Sequence, residues 1–362
     1  MKNNRVIISG GGTAGHIFPA ISIAEELNSS GKIYNILFVG AKKRMEMQKV
    51  PLAGYKIKGI WIDGFQRSLT VRNFMFPFKL GISLIHSLFI LLKFNPKFVV
   101  GTGGFASGPL LFAASILRIP TLIHEQNSYP GITNRLLSKL VDKICVSYDG
   151  MESYFPNKKI VKTGNPIRKY LYEKTNKIKA VKYFDLDPAK KTILIVGGSL
   201  GAEPINKVIS NKIFSFSNYQ IIWQTGKSNY KKYKELASNH KNINVYEFIE
   251  KMNFAYSAAD IIISRAGALA IAEICFLQKT AILVPSPYVS ENHQMKNAEA
   301  LVSKEACILI EEHKLETNLL ESINKLLGDT KYSQRLASNA KSLSFNNSSS
   351  KIVKVLNNLI YD

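Results

Sequence analysis

Several short clusters set titratable side chains beside runs of glycine, a combination suited to chemistry on an anionic or sugar-like substrate. Gly10-Gly11-Gly12-Thr13-Ala14-Gly15 leads directly into His16, an imidazole able to act as a general base near neutral pH. His124-Glu125-Gln126-Asn127 sets four polar residues side by side, and Glu125 is the rival base. Gly101-Thr102-Gly103-Gly104-Phe105-Ala106-Ser107-Gly108 has side chains small enough for a bulky ligand to approach the backbone.

The second half repeats the pattern. Gly197-Gly198-Ser199-Leu200-Gly201 offers amides and a hydroxyl to a phosphate, and Ser264-Arg265-Ala266-Gly267 opens a helix whose free N–H groups lie around Ala268 to Ala270. Such a terminus is an anion site. Glu273, about one turn further, is placed to accept hydrogen bonds from vicinal ribose hydroxyls. Glu291-Asn292-His293-Gln294 and Asn297 offer amides suited to sugar hydroxyls. No metal site is expected: Cys145, Cys275 and Cys307 are far apart and lack His neighbours, and Asp185-Leu186-Asp187 before Pro188 reads as a turn cap.

These clusters need a scaffold that presents strand ends. Candidate strands are Arg5 to Ser9, Asn35 to Val39, Lys97 to Val100, Thr121 to His124 and Asp142 to Ser147. A second series runs Thr192 to Val196, Gln220 to Gln224, Asn242 to Tyr246, Asp260 to Ser264 and Thr280 to Val284, with helical periodicity between most of them. Alternation of this kind predicts an α/β fold with parallel sheets, and each series opens with a strand that runs into glycines. Two Rossmann-like domains follow, 1–165 and 166–347, divided at the breaker cluster Gly164-Asn165-Pro166, with a closing helix from about Ser350 to Tyr361. The first glycine loop satisfies the GxGxxG dinucleotide fingerprint, but Ala41-Lys42-Lys43-Arg44 stands where that fingerprint expects an acid on the ribose. An NADP oxidoreductase is the alternative those cations leave open.

The 362 residues are 46% hydrophobic and 20% charged, which excludes disorder and fibrous architecture. A net charge of +22 points to anionic partners. The half through Asn165 holds 21 basic and 8 acidic residues and is the more basic. Leu80 to Leu92 is the longest apolar stretch, and its thirteen residues reach only ~20 Å against a hydrocarbon core of ~30 Å, so it is expected not to span a bilayer. It carries two apolar stripes, Leu80, Leu84, Leu88 and Leu91 beside Ile82, Ile85, Phe89 and Leu92, where a core helix needs one. Phe74, Phe76 and Phe78 precede it, with Arg67, Arg72, Lys79, Lys93 and Lys97 around it. This suits a face dipping into an anionic membrane surface, with Phe78, Leu84, Leu88, Lys79 and Lys93 as the contact residues. A nucleic-acid-binding protein would interleave basic and stacking aromatic residues along a groove, and here the aromatics sit in an aliphatic helix, so no nucleic-acid partner is expected.

GGGTAGHIFPA at 10–20, GTGGFASGP at 101–109, HEQN at 124–127, TGNPIR at 163–168, GGSLGA at 197–202, SRAGALAIAE at 264–273 and NHQMKNA at 292–298 resemble, in order and end to end, the MurG family of bacterial glycosyltransferases within glycosyltransferase family 28. The resemblance implies a GT-B fold, two Rossmann-like domains with parallel sheets facing across a cleft, and residues from about 348 to 362 packed back on the first domain. It implies inverting transfer of N-acetylglucosamine from UDP-N-acetylglucosamine to the MurNAc C4 hydroxyl of lipid I, giving lipid II for peptidoglycan, without metal or cofactor. A related enzyme glycosylating another lipid is the alternative. By the same resemblance Ile249 meets uracil through its backbone, Glu273 the ribose, and Ser199 with Ala268, Leu269, Ala270, Ile271 and Ala272 the diphosphate. Arg168, Asn127 and Gln294 complete the donor site, which Thr13, Ala14 and Gly15 approach from the first domain. His16, His124, Glu125 and Asn134 fall on the acceptor side with Phe105, which stands where some members have Tyr; Ala14 replaces a glycine common in the family. Peripheral attachment at the cytoplasmic face of the bacterial inner membrane, and cell-wall or division proteins as partners, are further implications.

Overall fold

Val6 and Ile8 point to one face of their strand and Ile7 to the other, and all three are fully buried, so the strand requires cover on both sides. That is the condition of a parallel sheet flanked by helices. The computed structural model describes residues 4–64, 75–173 and 175–359; Arg67, Arg72, Phe74 and Tyr361 lie outside them. The described chain forms two compact units, 1–168 with 345–362, and 169–344.

In the first unit the strands are β1 (Arg5–Ser9), β2 (Asn35–Ala41), β3 (Lys56–Ile60), β4 (Phe98–Gly101), β5 (Thr121–Glu125), β6 (Lys143–Val146) and β7 (Ile160–Lys162). All pair in parallel in the order β3-β2-β1-β4-β5-β6-β7. The second unit holds β8 (Thr192–Val196), β9 (Gln220–Gln224), β10 (Ile243–Tyr246), β11 (Ile261–Ser264), β12 (Thr280–Leu283) and β13 (Ile308–Leu309), also parallel, ordered β10-β9-β8-β11-β12-β13. Both orders reverse direction beside their first strand. The crevice at such a reversal, beyond the carboxyl ends of the strands, is where open α/β sheets bind ligands. The loops after β1 and β4, and after β8 and β11, stand at these reversals.

One face of the first sheet packs on the helix Ala14–Ser29 and on the last helix, Ser348–Asn358, whose Ile352, Val353 and Leu356 enter that core. The other face packs on Phe76–Phe94 and Ser107–Ile116. Phe76–Phe94 ends where Asn95 turns left-handed (φ 47°) and returns its N–H to Leu91 O, with Pro96 next.

At 19 residues, Phe76–Phe94 exceeds the thirteen-residue run, and by length and composition alone it could cross a bilayer. Its inner edge, Ser83, Ser87, Ile90 and Leu91, is buried in the unit, so it lies on the globular body. The small serines let that edge approach closely, and this sets which stripe faces out. Leu88 leans on the core and Leu84 is half-buried, whereas Ile85 (70% exposed), Phe89 (59%), Leu92 (67%) and Phe78 (61%) face solvent.

Candidate active site

Gly12 turns left-handed (φ 82°) at the end of β1, and extended Thr13 opens the helix Ala14–Ser29. The loop after β4 packs directly on this turn: a Cβ on Gly104 would fall 2.3 Å from Gly11 O, and one on Gly103 2.8 Å from the His16 ring. Gly11 N donates to Gly103 O (3.3 Å) and Thr102 Oγ1 to His16 O (2.8 Å). The glycine loop is not an open phosphate cradle. Glu46, fully buried beneath it, accepts from Gly12 N (2.9 Å) and Ala41 N (3.0 Å), so a carboxylate already occupies the position an anion would need. The acid missing from Ala41-Lys42-Lys43-Arg44 thus stands two residues later and turns toward the loop backbone. This removes the basis for a dinucleotide site there.

His16, half-buried, is 3.1 Å through Nδ1 from Gln126 Oε1. The Gln126 Nε2 group donates to Thr102 O (2.8 Å) and to His124 Nδ1 (2.9 Å), and His124 Nε2 lies 3.1 Å from Gly164 O. His124 is wholly buried, which pushes its pKa down to about 4. It does not face a ligand. Neither does Glu125: its Oε1 accepts from Asn127 N (3.0 Å) and Nδ2 (3.1 Å), and its Oε2 from Gly131 N (3.1 Å) and Asn134 Nδ2 (2.8 Å). Four donors fill both oxygens, and the carboxylate is buried. The geometry therefore reads against Glu125 as a base and makes it the tie that shapes the loop from 126 to 134. Asn134 is buried with it.

Other expected residues of this unit lie nearer the surface. Thr13 is exposed, and Ala14, Gly15 and Asn127 are half-buried. The Phe105 ring lies against Gly64 and keeps 42% of its surface exposed. Arg168 holds its guanidinium 5.9 Å from the Phe18 ring centroid.

In the second unit, Gly198 (φ 89°) and Gly201 (φ 80°) fold the loop after β8 so that half-buried Ser199 lies at its tip. A Cβ on Gly201 would fall 1.9 Å from Thr225 O. Gln224 bridges two segments: its Nε2 donates to Gly198 O (2.8 Å) and its Oε1 accepts from Ile249 N (2.9 Å). The Ile249 N–H is thereby engaged, and a base reading this backbone would use the carbonyl.

After β11, Gly267 (φ −70°, ψ 139°) opens the helix Ala268–Phe276 without a side-chain cap. The N–H groups of Leu269 and Ala270 point out of its first turn, while Ile271 N donates to Gly267 O (3.0 Å). Ala272 is half-buried in the next turn. Glu273 is 1% exposed, and Tyr256 donates its hydroxyl to Oε2 (3.0 Å). Gln294 accepts from Ser286 N (2.9 Å) through Oε1. Arg265 pairs with Glu312 (2.5 Å) and donates to Val284 O (3.2 Å), fixing the ends of β11 and β12. Asp187 caps a turn by accepting from Ala189 N (2.9 Å). Among the described residues no three His, Cys, Asp or Glu side chains gather as a metal site.

Two switch points of this kind on one chain match known proteins over their full length. Residues 6–146 match the glycosyltransferase family 28 N-terminal domain and residues 192–355 its C-terminal domain. The chain belongs to glycosyltransferase family 28. It is 50% identical to a protein of Flavobacterium psychrophilum, with 99% of each chain covered, and 48% identical to one of Christiangramia forsetii, with 98% of each covered. Both are named UDP-N-acetylglucosamine--N-acetylmuramyl-(pentapeptide) pyrophosphoryl-undecaprenol N-acetylglucosamine transferase. Among solved structures, Acinetobacter baumannii MurG is 26% identical with a TM-score of 0.77, covering 98% of this chain and 99% of that one. A kitacinnamycin glycotransferase at 13% identity and TM-score 0.72 shares the fold.

For a family 28 member the informative residues that sequence reasoning left unassigned are Glu46, Gln126 and Gln224, each a polar side chain that holds a ligand-facing loop. Gln126 stood inside a cluster that was already conspicuous. Glu46 and Gln224 gave no local signal, because their partners at Gly12 and Gly198 are far away in sequence.

Proposed function

We propose that this enzyme transfers N-acetylglucosamine from UDP-N-acetylglucosamine to the MurNAc C4 hydroxyl of undecaprenyl-pyrophosphoryl-MurNAc-pentapeptide, with inversion at the anomeric carbon. The observation that carries the mechanism is His16: an imidazole at the switch point of the first sheet, anchored through Nδ1, whose Nε2 has no partner among the described residues. Nε2 takes the C4 hydroxyl proton as the new O–C1 bond forms. The C1–O bond to the β-phosphate breaks on the opposite face, and its electron pair leaves with UDP. The start of Ala268–Phe276 and the loop carrying Ser199 stabilise the charge that builds on UDP, because their dipoles are fixed before the reaction. Glu273, oriented by Tyr256, takes the ribose hydroxyls, and the Gln294 NH2 serves the sugar. Product analysis with UDP-N-acetylglucosamine and a lipid I analogue tests this. A β1,4-linked disaccharide lipid and UDP are expected; retention of configuration, or preferred glycosylation of diacylglycerol, would refute it.

The enzyme works, in this proposal, as a peripheral protein on the cytoplasmic face of the bacterial plasma membrane. Its docking face is the outward stripe of Phe76–Phe94, Phe78, Ile85, Phe89 and Leu92, to which the adjoining helix Ser107–Ile116 adds Ile116. Lys93 lies beside the Phe89 ring (5.8 Å), free to meet anionic headgroups. Lys79 is tied to Asp63 (2.6 Å), whose carboxyl that hydrogen bond holds below its usual pKa, so it braces the helix start. Partial burial, and then the positive field of Lys42 and Lys58, lowers the pKa of His86 on the same helix.

A further inference from the structure

Gln126 touches two of the three histidines of the first unit, His16 and His124, and its amide can point only one way. Thr102 O (2.8 Å) and His124 O (3.1 Å) both lie within reach of one end of the side chain, and carbonyl oxygens only accept. That end is therefore the NH2, and the end facing His16 Nδ1 at 3.1 Å is the carbonyl oxygen. His124 locks this orientation from behind. Its Nε2 faces Gly164 O and must donate, so in the neutral ring Nδ1 is an acceptor, and Gln126 Nε2 lies 2.9 Å from it. Full burial keeps His124 neutral at physiological pH.

We propose that Gln126 is a positioning residue that holds His16 as the Nδ1–H tautomer, through a chain running from Gly164 O through His124 and Gln126, so that Nε2 always presents its lone pair to the acceptor hydroxyl. The proposal rests on the reading of His16 as the base. An unrestrained neutral histidine favours the proton on Nε2, the form that cannot accept one there. The chain reverses that preference before substrate arrives. When Nε2 takes the proton, the ring becomes a cation whose Nδ1–H already points at the Gln126 oxygen, and the hydrogen bond becomes charge-assisted. Gly103 leaves room for the ring, since any side chain there would meet it. Among the described residues no other hydrogen bond reaches the His16 ring, so the tautomer is decided at this one contact.

Nitrogen-15 NMR of histidine-labelled full-length enzyme reads the tautomer directly, at a pH where the ring is neutral. The His16 signal, assigned by its loss in His16→Ala, should show Nδ1 protonated and Nε2 bare. In Gln126→Met, which keeps the side-chain length and removes both polar ends, His16 should revert largely to the Nε2–H form. The kcat should then fall by about 10–100-fold, below the 10²–10⁴ typical of losing a base outright, with the KM for UDP-N-acetylglucosamine within about twofold. A wild-type His16 protonated on Nε2 would overturn the proposal without any variant having to fold. An unchanged tautomer in folded Gln126→Met, or a changed tautomer with unchanged kcat, would overturn it as well. If His16→Ala retained full kcat, the reading of His16 as base would fail separately, and the NMR result would still decide the tautomer.

Discussion

Replacing Glu125 by Gln separates a structural carboxylate from a catalytic one. The exchange turns one oxygen into an NH2 group, which must then face either Asn127 N and Nδ2 or Gly131 N and Asn134 Nδ2, all of them donors. Two hydrogen bonds are lost and two donors are left facing a third. Each unsatisfied buried donor costs about 1–3 kcal/mol, so the substitution should destabilise the first unit by roughly 3 kcal/mol. In a unit of about 190 residues, 1 kcal/mol moves Tm by ~2–4 °C, which gives a fall of about 6–12 °C. The chain has two tryptophans, Trp61 in the first unit and fully buried Trp223 in the second. Fluorescence melting in a Trp223→Phe background therefore follows the first unit alone. Assayed well below the lowered Tm, kcat should stay within about tenfold of wild type. A Tm within ~2 °C of the parent combined with a kcat loss of 10² or more would make Glu125 the proton acceptor and refute the reasoning from its four donors.

Three further outcomes follow from the same geometry. Glu273→Ala should raise the KM for UDP-N-acetylglucosamine strongly, and equal donor affinity by titration calorimetry would remove the ribose assignment. Because the folded state holds His124 near pKa 4 against an ordinary value of 6.5, the unfolded chain binds the extra proton in between, and stability should fall as pH drops from about 6.5 through 4, by roughly 3 kcal/mol for this group. Urea melts across that range should show a flatter profile for His124→Asn, and parallel profiles would refute the burial argument. Ile85→Glu and Phe89→Glu should each weaken sedimentation with anionic vesicles about tenfold or more while leaving Tm unchanged, because both side chains are already in water; Leu88→Glu should instead lower Tm. Vesicle binding indifferent to both surface changes and to salt would sink the docking face.

Strands buried on both faces were legible in the sequence. Arg5–Ser9, Thr192–Val196 and Gln220–Gln224 occur with their expected bounds, since a continuous apolar run followed by glycine has few other uses in an α/β chain. The strands that escaped notice, Lys56–Ile60, Ile160–Lys162 and Ile308–Leu309, all lie at sheet edges. An edge strand needs no apolar run, and Lys-Ile-Lys-Gly-Ile resembles a solvated loop until a neighbour supplies its register. The site divides along a similar line. Glycine loops at strand ends were evident from local sequence. Whether a polar side chain faces outward or holds a loop depends on partners brought to it by the fold, and no spacing rule distinguishes half-buried His16 from buried His124 or shows that four donors converge on Glu125. The outward stripe of Phe76–Phe94 was ambiguous for a related reason: both stripes are apolar, and Ser83 and Ser87 decide between them only once a core exists to receive them.

Ile352, Val353 and Leu356 belong to the same buried cluster as Val6, Ile8 and Phe98. The ribosome delivers those segments almost a whole chain apart, so the unit begun first is finished last, after 169–344 has been made in between. For most of its synthesis the amino-terminal sheet waits with one side only partly covered, by Ala14–Ser29 alone, a state that recruits chaperones. A nonsense mutation near codon 350 would spare every ligand-facing loop and still leave the nascent protein a target for proteases.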